Sequence, residues 1–206
     1  MTYRSEERMT TYTLSAVQRA SKSSFITRVE TSCGDQGFAC LSLHLHSSSI
    51  LRMRIGQVFS RLEDVSCSES PESVTGWVTQ VRERVSCPML GEWKGRIPDG
   101  EGLCARSVSS CDRPDQMHYQ VYNCDNPGEV YEDRLYTCYG QFVSHGLVYT
   151  LTKREDMAQQ ECFVGVSTND REHIVMEAGE HCTMGLQPSV YGMKMELVRD
   201  FQCRKE

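Results

Sequence analysis

Along Phe38–His46, Leu41, Leu43 and Leu45 alternate with Ser42, His44 and His46. A period of two is the mark of a half-buried strand. Ser47-Ser48-Ser49 reads as a turn, after which Leu51, Met53 and Ile55 alternate with Arg52 and Arg54. The pair predicts a hairpin with one apolar and one polar face. Trp77–Val81 predicts another strand. Beyond Cys87 the same grammar repeats. Strands are expected over Gly91–Ile97, His118–Cys124, Arg134–Val143, Leu147–Thr152, Gln160–Ser167, His173–Glu177 and Tyr191–Val198. Turn chemistry separates them: Pro98–Gly102, Asp125-Asn126-Pro127-Gly128, and Ser144-His145-Gly146. The stretch 105–116 reads as loop. No amphipathic helix of useful length is predicted. The fold class is therefore all-β: antiparallel sheets in a sandwich or barrel-like meander.

Residues 1–24 are polar and read as a poorly ordered lead-in. Residues 60–73, which include Pro71, read as a linker. The expected organisation is an N-terminal module over 25–86 and a C-terminal cysteine-rich domain over 87–203, with a single two-sheet domain as the alternative.

Composition changes this picture through sulfur. Leu, Ile, Val and Phe make up about a fifth of the 206 residues, near the level where apolar burial alone folds a chain with difficulty. Eleven cysteines offset that deficit. They are Cys33, Cys40, Cys67, Cys87, Cys104, Cys111, Cys124, Cys138, Cys162, Cys182 and Cys203, and no two lie closer than seven positions. Metal and dithiol sites draw two thiols from one tight turn, so this spacing points to disulfides and an oxidising compartment. The odd count leaves a thiol over. Local guesses pair Cys104 with Cys111 and Cys182 with Cys203. The net charge of −6 argues against nucleic acid as a partner. No apolar run is long enough to span a membrane. The start, Met1 to Gln18, lacks the apolar core of a signal peptide, which suggests a fragment or a mispredicted start.

A string of further residues runs through most of the chain. It includes Cys33-Gly34-Asp35-Gln36-Gly37-Phe38-Ala39-Cys40, Cys87-Pro88, Leu103-Cys104-Ala105, Tyr136-Thr137-Cys138-Tyr139-Gly140, Glu161-Cys162-Phe163-Val164-Gly165 and Glu177-Ala178-Gly179-Glu180-His181-Cys182. In these the chain resembles a family of cysteine-rich extracellular arthropod proteins built of domains with no assigned function. The resemblance implies a secreted or surface location. It brings no catalytic residues.

Candidate chemistry is sparse. His44 and His46 share one strand face with Arg52 and Arg54 on the paired strand. The positive charge disfavours a metal, so no metal site is expected; a solvated edge or a small basic patch for a sulfated glycan or acidic protein is. His173, Glu177, Glu180 and His181 cluster in sequence, but Ala178-Gly179 breaks their alignment and a structural turn is the expectation. No G-x-S-x-G, H-E-x-x-H or phosphate-binding loop is present. Neither a cofactor nor an enzymatic activity is expected. Tyr122 and Tyr136, from a tyrosine-rich stretch, are the best candidates for a recognition surface. Two functions stay open. One is a non-enzymatic extracellular binding or structural module, recognising a protein or glycan through a rigid β surface. The other is a lipocalin-like carrier of a small apolar ligand. The chain has no recognisable lipocalin start motif, and a barrel packed solid would remove the carrier. A secreted hydrolase ranks third.

Overall fold

The computed structural model describes residues 2–5, 10–47, 50–67, 77–81, 83–201 and 203. It is all-β, and the chain divides into two compact units. The first comprises Met1–Leu45 with Leu51–Gln80, and the second His46–Ile50 with Val81–Glu206.

The first unit holds all but a few strand-end residues of one sheet in the order β1 (Thr2–Ser5), β2 (Thr10–Arg19), β3 (Ser24–Thr31), β4 (Gln36–Ser47), β5 (Ile50–Ile55) and β6 (Val78–Val81). Alternate positions supply its core: Tyr12 and Leu14, Val29, Ala39 and Leu41, Met53 and Ile55, and Val78. This is the period of two working across neighbouring strands. The β4–β5 hairpin follows the predicted alternation in part: Leu41, Met53 and Ile55 are buried, but Leu45 is 73% exposed, and Arg52, expected on the polar face, is buried with its guanidinium over the Trp77 ring. The turn expected at 47–49 falls partly outside the described residues. The lead-in expected over 1–24 is corrected: β2 pairs with β3 from Tyr12 to Arg19 and buries Tyr12 and Leu14. Only these two large side chains face inward, too few to register as a strand against the surrounding Thr, Ser and Arg. Cys40 is bonded to Cys67.

The second unit is a closed eight-stranded barrel. Its strands are β7 (Gly91–Arg96), β8 (Leu103–Ser109), β9 (Gln116–Asn123), β10 (Val130–Ser144), β11 (Leu147–Arg154), β12 (Gln160–Asn169), β13 (Glu172–Glu177) and β14 (Met193–Arg199). Each pairs antiparallel with the next, and β14 returns to pair with β7. The loop expected over 105–116 is corrected at its start, because β8 runs on to Ser109 and leaves the loop to 110–115. Its inward positions are Ala105, Ser107 and Ser109, which give no apolar alternation to detect. The reversal between β10 and β11 places His145 and Gly146 at φ of 52° and 77°. Those angles are the positive-φ pair of a tight hairpin, where glycine is at ease.

Four disulfides staple this unit: Cys87–Cys138, Cys104–Cys124, Cys111–Cys203 and Cys162–Cys182. The local pairings expected for Cys104 with Cys111 and Cys182 with Cys203 are wrong. Cys104 lies near the start of strand β8 and Cys111 just past its end, and the extended chain from Cys104 to Ser109 alone spans about 17 Å, which holds the two apart. Strand β14 separates the other pair in the same way. Cys33 is the leftover thiol and is exposed. No helix among the described residues is long and apolar enough to cross a membrane.

Candidate functional site

Closing eight strands sends alternate side chains into the lumen. Register identifies them: Trp93, Ser107, Tyr119 and Arg134 follow one another across β7 to β10, and Thr152 lies opposite both Cys138 and Glu161. Further round, Phe163 faces Glu177, Gly165 faces Val175, and Val175 faces Met193.

These side chains do not fill the interior. They enclose a cavity of about 600 Å³, within the usual range for small-molecule sites. One part of the lumen is packed by Met89, Trp93 and Met195. The segment before β7 is tied there by Val85 N–H donating to the Cys138 carbonyl and Cys87 N–H to that of Pro114. Pro88 and Met89 from that segment line the cavity. Loop residues Ile97, Pro98 and Asp99 and the exposed Tyr191 also line it. Five methionines, Met89, Met117, Met176, Met193 and Met195, contribute to the wall. Unbranched thioethers adapt to varied shapes, so this wall suits an apolar body of loosely specified outline.

A chain of polar contacts crosses one wall. Arg134 pairs with Glu132 at 2.5 Å and donates to the Tyr136 hydroxyl at 3.4 Å. The Tyr136 hydroxyl donates to Glu161 Oε2 at 2.8 Å. Arg154 lies 4.0 Å from the other Glu161 oxygen and grips Asp156 through two bonds of 2.9 and 2.6 Å. Burial pushes the Tyr136 phenol well above its ordinary range; the Glu161 carboxylate adds to this and Arg134 opposes it. The Tyr119 phenol is raised by burial, with Arg134 opposing and Glu132 and Glu177 reinforcing. Burial lowers His173, which favours the neutral imidazole; its ring meets Trp93 edge to face at 4.5 Å. On the opposite wall Ser107 is 3% exposed, and its hydroxyl has no hydrogen-bond partner.

The residues singled out from sequence scatter. Tyr136 is 1% exposed and faces the lumen, while Tyr122 is 9% exposed beside the Cys104–Cys124 bridge. Neither offers an outward recognition surface. Parity along β9 and β10 separates them, since Tyr136 faces inward with Met117 and Tyr122 points the other way. His173 and Glu177 share the lumen-facing side of β13, whereas Glu180 and His181 lie in the turn after it. Cys182 is bridged to Cys162 and is no nucleophile. Of the basic set, His44, Arg52 and Arg54 converge on Trp77 in the first unit. His44 meets the indole edge to face at 4.9 Å, and the guanidinium carbons stand 5.3 and 5.1 Å from the ring centre. His46 belongs to the second unit and packs on Phe142 at 4.3 Å. Among the described residues no group of three acidic, histidine or cysteine side chains has metal-binding geometry. Sequence reasoning missed Arg134, Glu161, Phe163 and Ser107. Their shared signal was strand parity, readable only once the closed register was known.

The fold and its lumen define a class: an eight-stranded up-and-down barrel with an internal cavity, joined in one chain to an open six-stranded sheet. Two family models match the chain. The Domain of unknown function (DUF7043) covers residues 1–79, and the Domain of unknown function (DUF7045) covers residues 87–188. No curated protein and no solved structure matches it.

Proposed function

We propose that this is a non-enzymatic carrier that takes a small, apolar-bodied ligand into the lumen of its barrel, outside the cell. The observation that supports the reading is the cavity of about 600 Å³ inside a closed barrel. At roughly 30 Å³ per water, that volume corresponds to about 20 waters, and releasing them from an apolar wall favours an apolar guest. Five disulfides fit an oxidising, extracellular setting. The test is titration of the purified, oxidised protein with 1-anilinonaphthalene-8-sulfonate and with a neutral apolar dye. Saturable one-to-one binding that small apolar competitors displace is expected. Absence of saturable binding by either dye would refute the reading.

A second reading concerns the first unit. Trp77 gathers the exposed His44, Arg54 and the buried Arg52, and His44 and Arg54 offer a basic grouping beside an aromatic ring suited to a sulfated glycan or an acidic protein. Retention on a heparin column that falls when Arg54 is changed to alanine would support it; wild-type protein eluting with the unretained fraction would dismiss it.

A further inference from the structure

The cavity wall is charged in a biased way. Its ionisable lining comprises the carboxylates of Asp99, Glu161 and Glu177, the guanidinium of Arg134, the imidazole of His173 and three tyrosines. Arg134 is already ion-paired with Glu132 at 2.5 Å. An anionic ligand would therefore find no unpaired cation among the described lining residues. Glu161 is different. One of its oxygens accepts the Tyr136 hydroxyl, while the other is 4.0 Å from Arg154, whose guanidinium is held by Asp156. That second oxygen keeps acceptor capacity.

Aromatic rings adjoin the same spot. Phe163 lies two residues beyond Glu161 on the same strand face and directly opposite Glu177 on β13. The Tyr136 ring meets Phe163 edge to face at 5.4 Å, with the planes at 86°. Carboxylates beside ring faces are the chemistry that holds an ammonium group. Strands β8 and β12 lie four apart in a ring of eight, so Ser107 stands on the wall opposite Glu161. A buried hydroxyl without a partner is costly when empty of ligand, and it faces the same lumen.

Resting on the carrier reading, we propose that the barrel's ligand is an amphipathic ammonium. Its charged nitrogen sits among Glu161, Phe163 and Glu177. Its apolar body lies along the methionine-rich wall, and a hydrogen-bonding group reaches Ser107. A fatty-acid anion would place its carboxylate against two carboxylates. A neutral lipid would bring no positive charge to the second Glu161 oxygen, which lies 4.0 Å from Arg154, or to the exposed Glu177 carboxylate.

The experiment is calorimetric titration of the intact oxidised chain with octyltrimethylammonium, octanoate and 1-octanol, each below its aggregation threshold. The ammonium is expected to bind at least about tenfold tighter than octanoate, with 1-octanol between. The variant carrying Glu161→Gln and Glu177→Gln is expected to lower the ammonium-to-octanol affinity ratio about tenfold. Glutamine keeps the size of the side chain and an acceptor for Tyr136, and the far-ultraviolet circular dichroism of the variant reports its folding. Octanoate binding as tightly as the ammonium, or a ratio unchanged in a folded variant, overturns the proposal and leaves the carrier reading standing. Failure of all three probes overturns both.

Discussion

Removing Cys111–Cys203 should cost the barrel more than removing Cys104–Cys124, and loop length sets the difference. The bridges span 92 and 20 residues respectively. In the chain-entropy account they restrain the unfolded chain by about 4.6 and about 3.3 kcal/mol at 25 °C. The other bridges shorten the long loop: the path from Cys111 to Cys203 can pass through Cys104–Cys124 and Cys162–Cys182. Because the dependence is logarithmic, that trims the larger figure by only about 0.3 kcal/mol. A gap of roughly 1 kcal/mol between the two double-serine variants remains. Neither bridge belongs to a buried cluster, so lost packing weighs little in the comparison. The assay is guanidinium unfolding without reductant, in a Trp77→Phe background so that Trp93 alone reports on the barrel. If the short-loop variant proves equally or more destabilised, unfolded-state entropy is not what these staples supply, and strain or local packing must replace it.

Three other outcomes are expected. Val148→Trp projects an indole into the lumen over Gly165; apolar dye binding should fall more than tenfold while circular dichroism stays native, and undiminished binding by a folded variant would place the ligand elsewhere. Gly95→Ala puts a Cβ inside contact distance of the Lys194 carbonyl oxygen where β7 meets β14; a loss of about 1–3 kcal/mol is expected for such overpacking, and a neutral effect in denaturant titration would contradict the tight seam. Tyr136 has a raised pKa when folded, against about 10 for a free phenol. Its contribution to stability is thus fully present below about pH 10 and is lost as pH rises through the higher folded value. Tyr136→Phe should flatten the alkaline fall in unfolding free energy, and an unchanged slope would refute the assignment.

How much was legible follows from which faces carry contrast. The β4–β5 hairpin stood out because Leu41 and Met53 face a dry core while Ser42 and Arg54 do not. Strands β11 and β12 also stood out, and here the buried apolar side chains are on the outer wall. Phe142, Tyr149, Leu151 and Val164 form a core outside the lumen, covered by Ala178, Met184 and Leu186. The lumen itself mixes Ser107, Arg134, Thr152 and Glu161 with methionines, so its period of two is real but chemically blurred. That is why β8 carries the sequence pattern of a loop, and why the inward facing of Tyr136 is not evident from the sequence. The disulfide partners were illegible for a different reason. Pairing depends on which strand ends meet around the ring, a long-range property that spacing along the chain does not encode.

Ring closure carries one more consequence. Every barrel strand has a neighbour on both sides, so a wall amide held in a ladder meets solvent only when that ladder opens. Deuterium uptake there should proceed as a single slow block rather than strand by strand. The open sheet ends on outermost strands, which have backbone groups left to offer. Any tendency to recruit a foreign strand belongs to that part of the molecule.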